Sequence, residues 1–493
     1  MDDSYQPTAT HTSPQANIDI GPSKLQSRRF LFTLITATGI GVFMGALDGS
    51  IVNVSLEPMA EAFQVSQSAI QWVILSYLII MASFTAIAGK IGDKYSNKLI
   101  FQIGMLIFTI GSFLSSISPN LGVLLVSRII QAIGATGLTA NGIAIITRFT
   151  NSKNRGTAIG WNSIFVASAL TVGPVLGGIL TYRFGWASIF VLNIPIGIIG
   201  LLWVQKAIPP TPPRDTGKHI DITGAILFGS ALILQIGGVS IVNSQNFISS
   251  VIIAIIAIIV GLIILVIFYF LSKRKSDPVI DITLFNDKTF VVGVATALLV
   301  YGVMEMIIFQ LPFLVIYIYN FSVEEAGFVL LGIPLAMALV GPIAGRLSDK
   351  YDPKYITTFA TMGLILTMIG FIVTTSDNFN WFVTIPLTFC LGAAVAFFSS
   401  PNGNSIMSAV PKNRLGVAGG FIGIARTFGF SAGLAISTMV MVLVQPIFMD
   451  MYGGGTYSAV NYIPTYQIMV FIGVLLAILS LFITYQRPKM VRL

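Results

Sequence analysis

Charge is scarce in this chain. Asp, Glu, Lys and Arg make up 9% of its 493 residues, against roughly a quarter in soluble domains. So few charges cannot cover a water-facing surface. The 55% of hydrophobic residues and the mean hydropathy of +0.87 agree, and together they predict a polytopic membrane protein. Cysteine occurs once, at Cys390, which excludes an intrachain disulfide. Histidine occurs twice, as His11 and His219, both in polar segments, so no imidazole is expected to carry protons within the membrane. There is no phosphate-binding loop of the form Gly-x-x-x-x-Gly-Lys-Ser/Thr. There is also no His-rich metal cluster and no nucleophile–base constellation. The sequence therefore predicts no metal, no cofactor, no nucleotide and no enzyme activity, and leaves an ion gradient as the energy source.

What is plentiful is apolar sequence. A spanning helix needs about 20 apolar residues, and fourteen such runs can be drawn, from 30–55 at one end to 463–486 at the other. Residues 1–29 are polar and rich in Ser, Thr, Pro and Gln and read as a disordered cytoplasmic tail. No cleavable leader is expected, since the first apolar run starts late and has full spanning length. With the N-terminus in the cytoplasm, all of the 27 Lys and Arg except Arg128, Arg183 and Arg426 fall on cytoplasmic tails, loops and helix ends. The segments assigned to the other side carry Glu57, Glu61, Glu324, Glu325, Asp377 and Asp450. This asymmetry supports an even helix count with both termini cytoplasmic. It also accounts for the net charge of +8 without a nucleic-acid partner.

One short stretch occurs twice. Gly89-Lys90-Ile91-Gly92-Asp93-Lys94-Tyr95 returns as Gly345-Arg346-Leu347-Ser348-Asp349-Lys350-Tyr351, 256 residues later (89 to 345). Lys153-Asn154-Arg155-Gly156 is echoed by Lys412-Asn413-Arg414-Leu415-Gly416 at nearly the same spacing. The shared offset predicts an internal duplication, which in a membrane chain suggests a transporter of two similar halves with the substrate site between them. The twin loops follow the second and tenth runs, so two extra helices are expected between the halves. The predicted architecture is all-α. A six-helix bundle at 30–206 is followed by a linker with two extra spanning helices at 207–288. A second six-helix bundle at 289–486 and a tail at 487–493 complete it.

Ionisable groups inside spanning helices are costly and are functional candidates by default. Four stand out: Asp48, Arg128, Glu305 and Arg426. Arginine stays charged, so only the carboxyls can change charge. Desolvation favours the protonated carboxyl and a neighbouring guanidinium the charged one. A carboxyl under both influences suits a proton-driven exchanger. Asp48 is the first candidate for that role, with a structural Asp bonded to backbone or to Asn53 as the alternative. Glu305 is read as an anchor for a cationic substrate, or as a carboxylate facing a wet vestibule. Arg426 either pairs with Glu305 or faces a polar groove, and its role stays open.

These residues resemble the major facilitator superfamily, and within it the fourteen-helix branch of drug:proton antiporters. The twin loops are similar to its loop signature, although Ser96-Asn97 and Asp352-Pro353 stand where Gly and basic residues are usual. Leu124-x-x-x-Arg128-x-x-Gln131-x-x-Gly134 resembles its fourth-helix signature, with Ala132 in place of the usual Gly. Gly173-Pro174-Val175-Leu176-Gly177-Gly178 resembles the fifth-helix signature of antiporters, and Leu47-Asp48-Gly49-Ser50 the first-helix signature of the branch. The segments Trp186–Gly197 and Pro278–Phe285 match that branch as well.

The resemblance implies a major facilitator fold and alternating access, with Arg128 modulating the proton site. It implies a conformational latch at Gly89, Asp93, Lys94, Gly345, Asp349 and Lys350, in which Asp93 accepts hydrogen bonds at a helix N-terminus; the plainer reading of the basic residues is positive-inside anchoring. Gly173, Pro174, Gly177 and Gly178 read as a packing and bending device. Trp72, Tyr77, Asn141, Trp161, Asn162, Tyr301, Gln310 and Tyr317 are candidates to line the cavity, where aromatic faces attract cations; each alone also suits packing or an interfacial belt. The expected function is proton-coupled multidrug efflux of lipophilic, cationic compounds by a monomer in the cell membrane. The alternatives are export of one specific metabolite, lipid or anion and, from another class, a membrane-embedded sensor or enzyme.

Overall fold

The computed structural model describes residues 28–150, 152–211, 221–241, 247–275, 278, 282–376, 378–410, 415–453 and 458–488. Among these, fourteen long helices follow in order. The first six are α1 (Arg28–Phe63), α2 (Trp72–Lys94), α3 (Asn97–Ser116), α4 (Leu121–Phe149), α5 (Ser152–Phe184) and α6 (Ser188–Ala207). Next come α7 (Ile222–Ser240) and α8 (Phe247–Arg274). The last six are α9 (Lys288–Phe313), α10 (Gly332–Lys350), α11 (Pro353–Thr374), α12 (Trp381–Ser408), α13 (Leu415–Tyr452) and α14 (Ala459–Tyr485). A single turn, Gln67–Ile70, leads into α2, and a short helix, Val323–Leu330, leads into α10. A π-helical turn, Leu314–Ile318, continues α9. By length and composition, thirteen membrane-crossing spans are present among the described residues. The helix α5 has 33 residues, a length of roughly 50 Å.

Polar residues in the connections set the helix starts. Ser96, Asn120, Asp221, Asp287 and Asn380 each accept a hydrogen bond from a backbone N–H of the first turn of α3, α4, α7, α9 and α12. Ser322 and Glu325 form a reciprocal capping box on the short helix before α10. Such caps satisfy N–H groups that a helix leaves open. They also explain where the second twin loop leaves its signature: Asp352 caps α11 and Pro353 occupies its first turn, where the absent N–H costs nothing.

The duplication is legible in the packing. The pairs α1–α5, α2–α4, α3–α4, α3–α6 and α1–α6 recur as α9–α13, α10–α12, α11–α12, α11–α14 and α9–α14. The halves meet where α2 packs on α13 and α5 on α10, contacts that the same symmetry relates. The two extra helices sit outside this frame. The helix α7 packs on α2, α13 and α8, while α8 leaves Ile252, Ile255, Ile256, Ile259 and Leu262 exposed. An all-apolar exposed helix is stable against lipid. The expectation of two six-helix bundles plus two central helices matches this arrangement. Helix α1 begins at Arg28, within the segment 1–29 expected as a tail; residues 1–27 lie outside the described ones. At the other end, Arg487, read from sequence as tail, is 1% exposed and donates from Nη2 to Asn402 Oδ1, while its Nε and Nη1 have no hydrogen-bond partner among the described residues. Burial lowers its pKa to about 10, so it stays a cation at neutral pH.

Candidate functional site

A cavity of about 220 Å³ lies between the halves. It is lined by α1, α2, α4 and α5 on one side and by α9, α10 and α13 on the other. Most of the wall is apolar or aromatic. Its charged residues are Arg128, Glu305 and Arg426, and its rings include Tyr77, Tyr301 and Phe430. Tyr301 and Phe430 meet edge to face at 5.5 Å. Glu305 is 4% exposed, and no hydrogen bond or ion pair joins its carboxylate to a described residue. Arg426, on α13, is exposed to the cavity and likewise has no bonded partner among the described residues. The pairing of Arg426 with Glu305 that the sequence allowed is thus not formed, although both face the same space.

Asp48 has the opposite surroundings. It is fully buried on α1 and does not line the cavity. Its Oδ2 accepts from Arg128 Nη1 at 2.5 Å, and its Oδ1 accepts from Gln131 Nε2 at 2.8 Å and Asn193 Nδ2 at 3.1 Å. Arg128 also donates from Nε to Val73 O at 3.0 Å and from Nη1 to Gln131 Oε1 at 2.5 Å. Gln131 continues the network to Ser112 Oγ at 2.8 Å. The Arg128 guanidinium lies 4.3 Å from the Tyr77 ring centroid and 5.7 Å from that of Phe190. Five helices, α1, α2, α3, α4 and α6, therefore share the network around this carboxylate, and its partner Arg128 lines the cavity. Asn53 is not a partner of Asp48, since its Nδ2 donates to Gly49 O at 3.2 Å.

The roles of Gln131, Asn193 and Ser112 were not found from sequence. Gln131 and Asn193 stand inside motifs that were singled out, and their signal was a carboxamide in the middle of an apolar run. Replacing Asn193 by Leu removes one donor to Asp48. The expected cost is about 1–3 kcal/mol, read as a lowered midpoint of thermal unfolding in detergent.

The other predicted lining residues divide. Tyr77 and Tyr301 face the cavity. Trp72 turns toward α7, next to Gly237. Gln310 is fully buried, accepting from Gln67 Nε2 at 2.6 Å and Tyr462 Oη at 3.0 Å. Tyr317 stacks on Phe313, with centroids 6.1 Å apart. The side chains of Trp161 and Asn162 lie outside the described residues. Asn141 sits in the first twin loop's support, donating to Ala88 O and Gly137 O at 3.1 Å each and accepting from Asn97 Nδ2 at 3.1 Å. Trp72, Asn141, Gln310 and Tyr317 are thus corrected from lining to packing and bridging residues; sequence spacing does not say which side of an all-apolar helix meets the void.

In the first twin loop, Asp93 accepts from Asn97 Nδ2 at 3.2 Å, and Lys94 lies 5.8 Å from the Tyr95 ring. Asn97, which replaces the usual basic residue, therefore links Asp93 to Asn141. The closest approach is at Gly92, where a Cβ would overlap Asn141 and Asn97, rather than at Gly89, where it would stand 3.6 Å from Ala140. In the second loop a Cβ on Gly345 would stand 3.3 Å from Ser400 Oγ. Lys350 ends α10, and the side chain of Asp349 lies outside the described residues. On α5, a Cβ at Gly173 would overlap Ser50, and one at Gly177 would stand 2.7 Å from Ile51 O. A Cβ at Gly178 would come within 2.8 Å of Glu324 Cα and Val323 O, across the boundary between the halves. Pro174, within the same helix, lines the cavity.

Comparison with known proteins adds the identity of the fold. The family model described as Major Facilitator Superfamily matches residues 38–434. Riboflavin transporter RibZ of Clostridioides difficile is 35% identical, over 80% of this chain and 85% of its own length. Multidrug resistance protein Stp of Mycobacterium tuberculosis is 29% identical, over 84% of this chain and 76% of its own. Multidrug export protein EmrB of Escherichia coli is 26% identical, over 83% and 80%. Among solved structures, a bacterial homologue of the lysosomal transporter Spinster superposes with a TM-score of 0.64 at 14% identity, covering 94% of this chain and 97% of that one. The inward-open xylose transporter XylE of E. coli gives 0.61 at 15%, covering 93% and 97%. The helix order, the paired halves with a cavity between them, and these matches lead to one assignment: the chain belongs to the Major Facilitator Superfamily, and is a multi-pass membrane transporter rather than an enzyme.

Proposed function

We propose that the protein is a proton-coupled exporter of lipophilic, positively charged aromatic compounds that works by alternating access. The observation that carries this reading is the buried Asp48–Arg128 pair, whose guanidinium also fronts the cavity that holds Glu305. A proton arriving at Asp48 cancels its charge and frees Arg128 to shift. A change at Arg128 is then felt directly by whatever occupies the cavity. Glu305 supplies the anionic anchor, and Tyr77, Tyr301 and Phe430 supply ring faces for a flat cargo. No cofactor takes part; the proton gradient drives the cycle. In this reading 30–206 and 289–486 are the moving bundles of a monomer and 207–288 carries the two extra helices. Asp93 with Gly89 and Lys94, and Asp349 with Gly345 and Lys350, form the cytoplasmic latch, and both termini lie in the cytoplasm of a bacterial cell.

The multidrug names of Stp and EmrB support a broad cargo range. The riboflavin transporter at 35% identity favours a second reading, export of one specific aromatic metabolite. The test is proteoliposomes with an imposed pH gradient and a fluorescent lipophilic cation such as ethidium. Uphill cation movement that stops when the gradient is collapsed is the expected result. Glu305→Gln should weaken cation affinity by about tenfold or more, the size of one charge-assisted contact. Folded wild type that moves no lipophilic cation overturns the multidrug reading and leaves the single-metabolite one.

A further inference from the structure

We infer that the preferred cargo is a dipolar aromatic molecule, carrying a cationic and an anionic group on one aromatic frame. The inference rests on the export reading above and adds an anionic group to the cationic aromatic cargo named there.

The two halves treat their cavity charges differently. On the N-terminal side, Arg128 is already neutralised by Asp48, and its Nε and Nη1 donate to Val73 O, Asp48 and Gln131. On the C-terminal side, Glu305 of α9 and Arg426 of α13 both face the void, and neither has a partner among the described residues. They belong to helices that pack tightly: a Cβ on Gly302 would stand 3.2 Å from Gly429 O, and one on Gly429 would stand 3.2 Å from Leu298 Cα. That backbone contact places the two charges on adjoining walls of one cavity. Tyr301 and Phe430, four residues from Glu305 and Arg426 along the same helices, meet edge to face and line the same cavity.

An unpaired charge in a low-dielectric site is costly, and a matched ligand charge relieves the cost. A simple cation satisfies Glu305 but leaves Arg426 unpaired and adds repulsion from it. A simple anion has the converse defect. A molecule with both groups, separated by an aromatic body that lies along Tyr301 and Phe430, satisfies both walls at once.

Rhodamine 110 and its methyl ester rhodamine 123 test this directly. They share one fluorophore, and only the first has the free carboxylate beside the cationic ring. Binding to the purified full chain is read by fluorescence anisotropy. Wild type should bind rhodamine 110 about tenfold or more tighter than rhodamine 123. Arg426→Gln should erase the gap by weakening rhodamine 110 alone, Arg426→Lys should keep most of it, and Glu305→Gln should weaken both dyes. Equal or tighter binding of rhodamine 123 by wild type overturns the inference, as does an unchanged gap in Arg426→Gln. The export reading fails separately. Gradient-driven movement of rhodamine 123 without preference for rhodamine 110 sinks only the dipolar cargo. Preference for rhodamine 110 with no gradient-driven movement of either dye supports the dipolar site and sinks proton-coupled export.

Discussion

Asp48→Asn should bring gradient-driven uptake of cargo into inverted proteoliposomes down to background, while exchange of labelled for unlabelled cargo continues and no longer responds to pH. The expectation follows from the placement of the carboxylate. Asp48 touches no part of the cavity, so its loss does not remove a cargo contact. What it removes is the one titratable partner of Arg128 in that network. Loss of driven transport together with loss of exchange would instead point to a cargo-binding or folding role and overturn the coupling assignment.

The same substitution has a stability signature that separates these cases. Asn at 48 leaves the guanidinium of Arg128 buried without a counter-charge, which costs about 3–5 kcal/mol. Arg128→Gln leaves Asp48 charged among Gln131 and Asn193, at a similar cost. The double variant has no unpaired charge and should lose less stability than either single variant. Thermal unfolding of the four proteins in detergent gives the coupling between the two sites. Additive losses would mean that the two residues do not act as a pair.

How much of this could be read from the chain depends on what each signal measures. Helix number, the duplication and the twin loops were legible, because spanning length and internal repetition are properties of the linear sequence. Ser96-Asn97 and Asp352-Pro353 depart from the loop signature in sequence, and in the structure they act as caps and in the Asp93–Asn97–Asn141 link. Asp48 and Glu305 were picked out by the same rule, an acid in an apolar run, yet one sits in a cage of donors and the other faces a void. Sequence cannot distinguish them, since the donors to Asp48 come from α4 and α6, 83 and 145 residues away. The lining residues failed for a related reason. Where a helix has apolar neighbours on every side, no polar stripe marks the face that meets the cavity. Tyr77 on α2 faces it and Trp72 on the same helix does not, and nothing in their spacing separates the two.

Gly327→Leu should hold the transporter open at the end opposite the twin loops. There the short helix Val323–Leu330 of one half lies directly on α5 of the other. A Cβ at Gly327 would overlap the carbonyl of Pro174, and a Cβ at Gly178 would stand 2.8 Å from both Glu324 Cα and Val323 O. These obstacles are backbone atoms, which cannot rotate away as a side-chain tip can. Overpacking of this kind costs about 1–3 kcal/mol. Charged against one state of a two-state equilibrium, that shifts populations by about 5- to 150-fold. The closed end also carries the Gln67–Gln310 hydrogen bond between the halves, which provides a reporter. In a Cys390→Ser background, Gln67→Cys with Gln310→Cys should be joined readily by a short bifunctional thiol reagent. Adding Gly327→Leu should suppress that link and driven transport together, while dye binding to the detergent-solubilised protein persists. Unchanged cross-linking in the Gly327→Leu protein would show that this end stays shut despite the added side chain, and that the Gly178–Gly327 contact is packing alone rather than a surface that separates during transport.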